Sequence, residues 1–161
     1  MRSYQIFSSL PAERNQALLR TLSEKMPVIF AQALGAACVA LKARPVYLRR
    51  LPFEKRAEAI RRALARVTAD PVAGEVLAAY FLECRKELLV EWLDLVGLAH
   101  SDGVLENDAP PPPADAKLKK ATEKFLAADE DPDRRLLLRA FAAQEAIEWP
   151  ALDALLEASP A

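Results

Sequence analysis

The chain has 161 residues, of which 52% are hydrophobic and 28% charged, with a net charge of −1. That is enough to bury a core without disulfide or metal staples, and it excludes a disordered chain. Two cysteines, one histidine and four isolated glycines exclude a disulfide-dense scaffold, a multi-histidine metal centre and a Gly-rich phosphate loop.

Aromatic residues make up only 7% of the chain, so alanine and leucine must supply most of the core. Pro11, Pro27, Pro45, Pro52, Pro71, Pro132 and Pro150 each stand at or just before an Ala/Leu-rich stretch with helical spacing. Proline has no N–H to lose in a first helical turn, and its fixed φ suits that position. The expected fold is all-α: a single-domain bundle of about seven helices around a long central helix, about 71–96, with no β-sheet.

In chain order, a first helix is predicted over Leu10–Lys25, with Ser9 as its N-cap. A second runs from Pro27 to about Ala43. Its residues up to Leu41 carry no charge, which predicts burial nearly all round. A short turn over Pro45–Arg50 leads to a third helix at Pro52. There Phe53, Ala57, Ile60, Leu64 and Val67 share one face and Lys55, Glu58, Arg62 and Arg66 the other. Leu10–Arg14 and Leu51–Lys55 echo each other, through duplication or through shared helix-start chemistry.

Asp70 and Pro71 are expected to cap the central helix. Its spine is the i, i+4 line Val72, Val76, Tyr80, Cys84, Leu88, Trp92 and Val96, and Gly97 is its stop. The sequence His100-Ser101-Asp102-Gly103 reads as a turn, and Pro110–Pro113 as an extended strut. Three more helices are predicted over Ala114–Ala128, Pro132–Ile147 and Pro150–Ala158, with Asp131 capping the second. Within the one domain the reading separates a basic core (1–97), a loop and strut (98–113) and acidic helices (114–161). The last are expected to dock on the core or on a second subunit.

Catalytic apparatus is sparse, and no catalytic residue is assigned. His100 lies in a polar loop, with Asp102, Glu106 and Asp108 nearby as weak metal-ligand candidates. Their spacing does not fit an EF-hand loop. No cofactor is expected. Tyr80, Cys84 and Trp92 are candidates to line a pocket. Glu83, Glu87 and Glu91 form an i, i+4, i+8 ridge that arginines from another helix could reach, or that solvent could cover.

The segment 44–66 is strongly basic. Arg49, Arg50, Arg61, Arg62 and Arg66 are the candidate interaction residues, with a phosphate backbone or the acidic helices as possible counterparts. No membrane is expected among the partners. Residues 26–41 are too few to span a bilayer comfortably, and the later apolar stretch is charged. Cys38 and Cys84 read as buried free thiols, which suits a reducing cytoplasm. Ala, Arg, Leu and Pro usage suggests a GC-rich bacterial genome. The expected function is a non-enzymatic protein–protein interaction or scaffold module, homo-oligomeric. The alternatives are a nucleic-acid-binding regulator and a small-molecule or metal-binding protein.

Overall fold

Prolines open five of the ten α-helices in the computed structural model, which describes residues 1–158. The last three residues of the acidic stretch 114–161 lie outside the described residues. Pro27, Pro45, Pro71, Pro132 and Pro150 occupy first-turn positions. Pro11 and Pro52 stand one step earlier, as N-caps with extended ψ of 147° and 152°. Leu10–Arg14 and Leu51–Lys55 thus open their helices in the same way.

The protein is all-α, apart, among the described residues, from one two-stranded antiparallel ladder of two residues per strand. The chain divides into two compact units, Arg2–Cys84 and Arg85–Ala161 with Met1.

The first unit holds α1 (Ser3–Ser9), α2 (Ala12–Lys25), α3 (Pro27–Leu41), α4 (Pro45–Arg50), α5 (Phe53–Leu64) and α6 (Asp70–Ala79). A 3₁₀ turn, Val67–Ala69, precedes α6, and a π turn, Tyr80–Cys84, follows it. Helix α5 packs against α3 and α2, burying Ala57, Ile60, Ala63 and Leu64. The buried Asn15 side chain donates to the Ala57 carbonyl at 2.9 Å and pins α2 to α5.

Two expectations about caps are corrected here. Ser9 ends α1, its hydroxyl donating back to the Gln5 and Ile6 carbonyls, each at 3.1 Å. Asp70 does not cap its own helix; its carboxylate accepts from the Tyr4 N–H at 3.0 Å, in the first turn of α1. Helix α1 was not foreseen, and the Pro45–Arg50 turn is a short helix.

The second unit holds α7 (Lys86–Val96), β1 (His100–Ser101), β2 (Val104–Leu105), α8 (Asp115–Ala127), α9 (Pro132–Ala142) and α10 (Pro150–Ala158). Its core is an aromatic chain. The Trp92 ring lies 5.6 Å from Phe125 and 5.9 Å from Phe141, which in turn lies 5.2 Å from Trp149. Trp149 also donates its indole N–H to the Pro110 carbonyl at 3.0 Å, so the proline strut is tied to the core at its first residue. Asp131 caps α9 as expected, accepting from the Asp133 N–H at 2.9 Å.

The expected ladder-free loop contains a hairpin. Asp102 (φ 52°) and Gly103 (φ 90°) form its two-residue turn, with His100 paired to Leu105. Positive φ at both central residues matches the twist of short strands, and Asp-Gly is a sequence suited to it.

The central helix is the main correction. Residues 71–96 are not one rod. Helix α6 ends at Ala79, a π turn covers Tyr80–Cys84, and Arg85 leaves helical geometry at φ −133°, ψ 40° before α7 begins. The reason lies in the spine itself. On a regular α-helix each i, i+4 step drifts by about 40°, so six steps wind about 240° around the axis. No unbroken helix turns all seven spine residues to one side. Even so, six of the seven are buried and only Val72 is partly open.

Candidate functional site

Charge, burial and hydrogen bonding sort the sequence candidates into three groups. The metal and catalytic candidates come first. His100 Nε2 lies 2.8 Å from an Asp94 carboxylate oxygen, and its Nδ1 accepts from the Gly103 N–H at 3.2 Å. Both ring nitrogens are thus engaged in holding the hairpin to the end of α7. Asp102 pairs with Lys86 at 2.8 Å. Glu106 and Asp108 are exposed, and the structure does not gather them with His100. Among the described residues no group of three or more His, Cys, Asp or Glu is arranged to hold a metal ion.

The pocket candidates are core residues. Trp92 is fully buried, and Tyr80 and Cys84 are nearly so. Tyr80 packs edge-on against Phe81 at 5.1 Å. Burial pushes the Cys84 thiol above its ordinary pKa, which makes it less nucleophilic. Cys38 is half-buried, and both thiols are free.

The glutamate ridge divides between its two readings: among the described residues only Glu91 is reached by an arginine of another helix, and Glu83 and Glu87 are exposed. Glu91 accepts from Arg134 of α9 at 3.0 Å and Glu87 from Arg85 at 2.8 Å, while Glu83 stays exposed. Arg85 also bonds Asp131 and Asp133, which anchors the start of α7 to the α8–α9 turn. Sequence reasoning missed these aspartates as arginine partners, because their separation of 46 and 48 residues leaves no local pattern.

The basic candidates divide. Arg61 and Arg62 both donate to Glu58, at 2.8 and 2.9 Å, and hold its carboxyl at a pKa of about 2. Arg66 donates to the Ala40 carbonyl at 3.0 Å. These three are committed within the first unit. Arg49 and Arg50, in the last turn of α4, are exposed and engage no partner among the described residues.

The feature that stands out was not among the candidates. Helix α3 does not bury its uncharged surface all round, as its composition had suggested. Phe30, Ala33, Leu34 and Ala37 face inward. On the opposite side Val28 is 70% exposed and Val39 80%, with Ala31, Gln32 and Gly35 exposed between them. From Val28 to Val39 this stripe runs roughly 16 Å and carries no charge. A side chain at Gly35 would meet nothing within 4 Å, so the middle of the stripe is open ground. The only sequence signal for it was the missing charge, which burial would explain as well.

Comparison with family models, with curated proteins and with solved structures finds no match to this chain.

Proposed function

We propose that this protein is a non-enzymatic scaffold module that associates with a second copy of itself through the open face of α3. The observation that carries this is the exposure of Val28 and Val39 on an uncharged helix face. Large apolar side chains left exposed on an uncharged helix face favour a contact surface.

A second copy is the occupant favoured by the symmetry of the face. A two-fold interface pairs a surface with itself in reverse. Read from both ends about the midpoint of Ala33 and Leu34, Val28 falls opposite Val39, Ala31 opposite Ala36, and Gln32 opposite Gly35. Two α3 helices running antiparallel would set valine on valine, and each Gln32 over the bare backbone of Gly35.

Burying four valines contributes roughly 1.5 kcal/mol each, against an association cost of about 4–15 kcal/mol. The dimer is therefore weak, micromolar or looser, and the measurement must reach high concentration. Sedimentation velocity from ~1 to ~500 µM should show a reversible monomer–dimer shift. Val39→Glu should hold the chain monomeric throughout without changing its unfolding midpoint, because the site is already exposed. A wild-type chain that stays monomeric at ~500 µM would end this reading, as would a dimer indifferent to Val39→Glu.

The metal-site and nucleic-acid readings gain less support. His100 has both nitrogens occupied, and three of the five candidate arginines are spent locally.

A further inference from the structure

Helix α4 and the turn before it form a second exposed surface of different chemistry. Leu41 is 41% exposed, Val46 55% and Tyr47 61%, and Lys42, Arg44, Arg49 and Arg50 are exposed among them. From residue 25 to residue 53 the sequence has no carboxylate, so nothing local answers these four cations. Lys42 bends the chain here in the left-handed region, at φ 51°. Leu48 alone, 1% exposed, anchors α4. At 100° per residue the side of α4 opposite Leu48 carries Val46 and Arg50, flanked by Tyr47 and Arg49.

Shape and charge together select the partner. Side chains more than half exposed stand out from the surface and do not line a groove, so the surface that receives them must deform around them. It must also be anionic. An interfacial lipid layer meets both conditions: apolar and aromatic side chains enter at headgroup depth, and each Lys or Arg gains from the lipid charge. A nucleic-acid duplex offers the charge but no place for Val46 and Leu41. Nor does the structure supply the longer cationic track that residues 44–66 suggested, because Arg61, Arg62 and Arg66 are already engaged.

We propose that Leu41–Arg50 docks the protein on the surface of an anionic phospholipid bilayer. Val46 and Tyr47 enter the headgroup region, and Lys42, Arg44, Arg49 and Arg50 face the lipid phosphates. The length argument against a membrane span does not reach this contact, which needs no span. It does not require self-association through α3, although Lys42 borders both surfaces.

Vesicle co-sedimentation of the full chain at low salt provides the test. One vesicle set is phosphatidylcholine alone, a second contains about 30% phosphatidylserine, and a short DNA duplex serves as a third arm. Binding is expected to the phosphatidylserine vesicles and not to the neutral ones. Arg49→Gln with Arg50→Gln should weaken it roughly tenfold or more. The charge-matched pair Arg61→Gln with Arg62→Gln should bind within about twofold of wild type, since those arginines already serve Glu58. Tyr47→Ser should weaken binding several-fold. Circular dichroism and thermal unfolding confirm that each variant is folded. Failure to bind anionic vesicles, equal binding to neutral ones, equal loss in both arginine pairs, or binding to the duplex alone would each overturn the proposal.

Discussion

Arg134 shows how a buried charge is kept in this protein. The residue is 6% exposed, and its guanidinium donates to Asp129 at 2.8 and 2.9 Å, to Glu91 at 3.0 Å and to the Phe125 carbonyl at 3.2 Å. It also lies 4.8 Å from the centre of the Phe125 ring. One side chain thus ties α7, α8 and the α8–α9 turn. Arg134→Ala strands the Phe125 carbonyl and removes the ring contact, and should cost about 2 kcal/mol in denaturant unfolding at neutral pH. The partners set a pH dependence. Hydrogen bonding to Arg134 holds the Asp129 carboxyl at about 2, below its usual 3.8, and Arg61 does the same for Glu58, from 4.5 to about 2. Folded carboxyls that keep their charge to lower pH stabilise the fold fully above their unfolded values. That contribution fades as pH falls from about 4.5 towards 2. The unfolding midpoint should drop over that window, and Asp129→Asn should make the drop shallower; an unchanged slope would mean the Asp129–Arg134 pair contributes nothing to acid stability.

At the scale of elements, some helix ends fall where the sequence places them, while Ser9 and Asp70 do not cap as expected and the helix expected over Pro132–Ile147 ends at Ala142. Gly97 stops α7 at φ 77°, with its N–H on the Leu93 and Asp94 carbonyls and the Leu98 N–H reaching back to Leu93 at 3.0 Å. Gly97→Ala puts a side chain where L-residues rarely sit and should cost about 1 kcal/mol by thermal or denaturant unfolding. Its Cβ would lie 2.6 Å from Lys117 Nζ, but the flexible end of a lysine can move, so the backbone carries the penalty. Stops and starts of this kind are local chemistry, and a reader of the sequence can find them: Gly97, Asp131, Pro132 and Pro150 all fall where expected. What was not legible is tertiary. At the break, Arg85 pairs with Asp131 and Asp133, more than forty residues away. The open face of α3 was hidden for another reason. A helix without charges looks the same in sequence whether its own chain covers it or leaves Val28 and Val39 bare.

Over the whole molecule, the two contact surfaces should answer to salt in opposite directions. The basic unit Arg2–Cys84 has 13 Lys and Arg against 7 Asp and Glu, while Arg85–Ala161 has 9 against 16. Binding of the Lys42–Arg50 corner to anionic lipid draws on unanswered positive charge, so raising salt from about 50 to 500 mM should weaken it steeply. The α3 pairing has no attractive charge to lose. The same reversed reading that sets Val28 on Val39 brings Lys25 opposite Lys42, a like-charge pair at each end of the interface. Salt screens that repulsion, and both lysines are exposed, so the effect is small, a few-fold at most. Sedimentation across the same salt range should therefore show dimerisation strengthened slightly or unchanged, and Lys42→Glu should strengthen it at low salt by giving Lys25 an opposite charge. Dimerisation that collapses with salt would mean that the copies meet basic unit to acidic unit, through a surface other than α3.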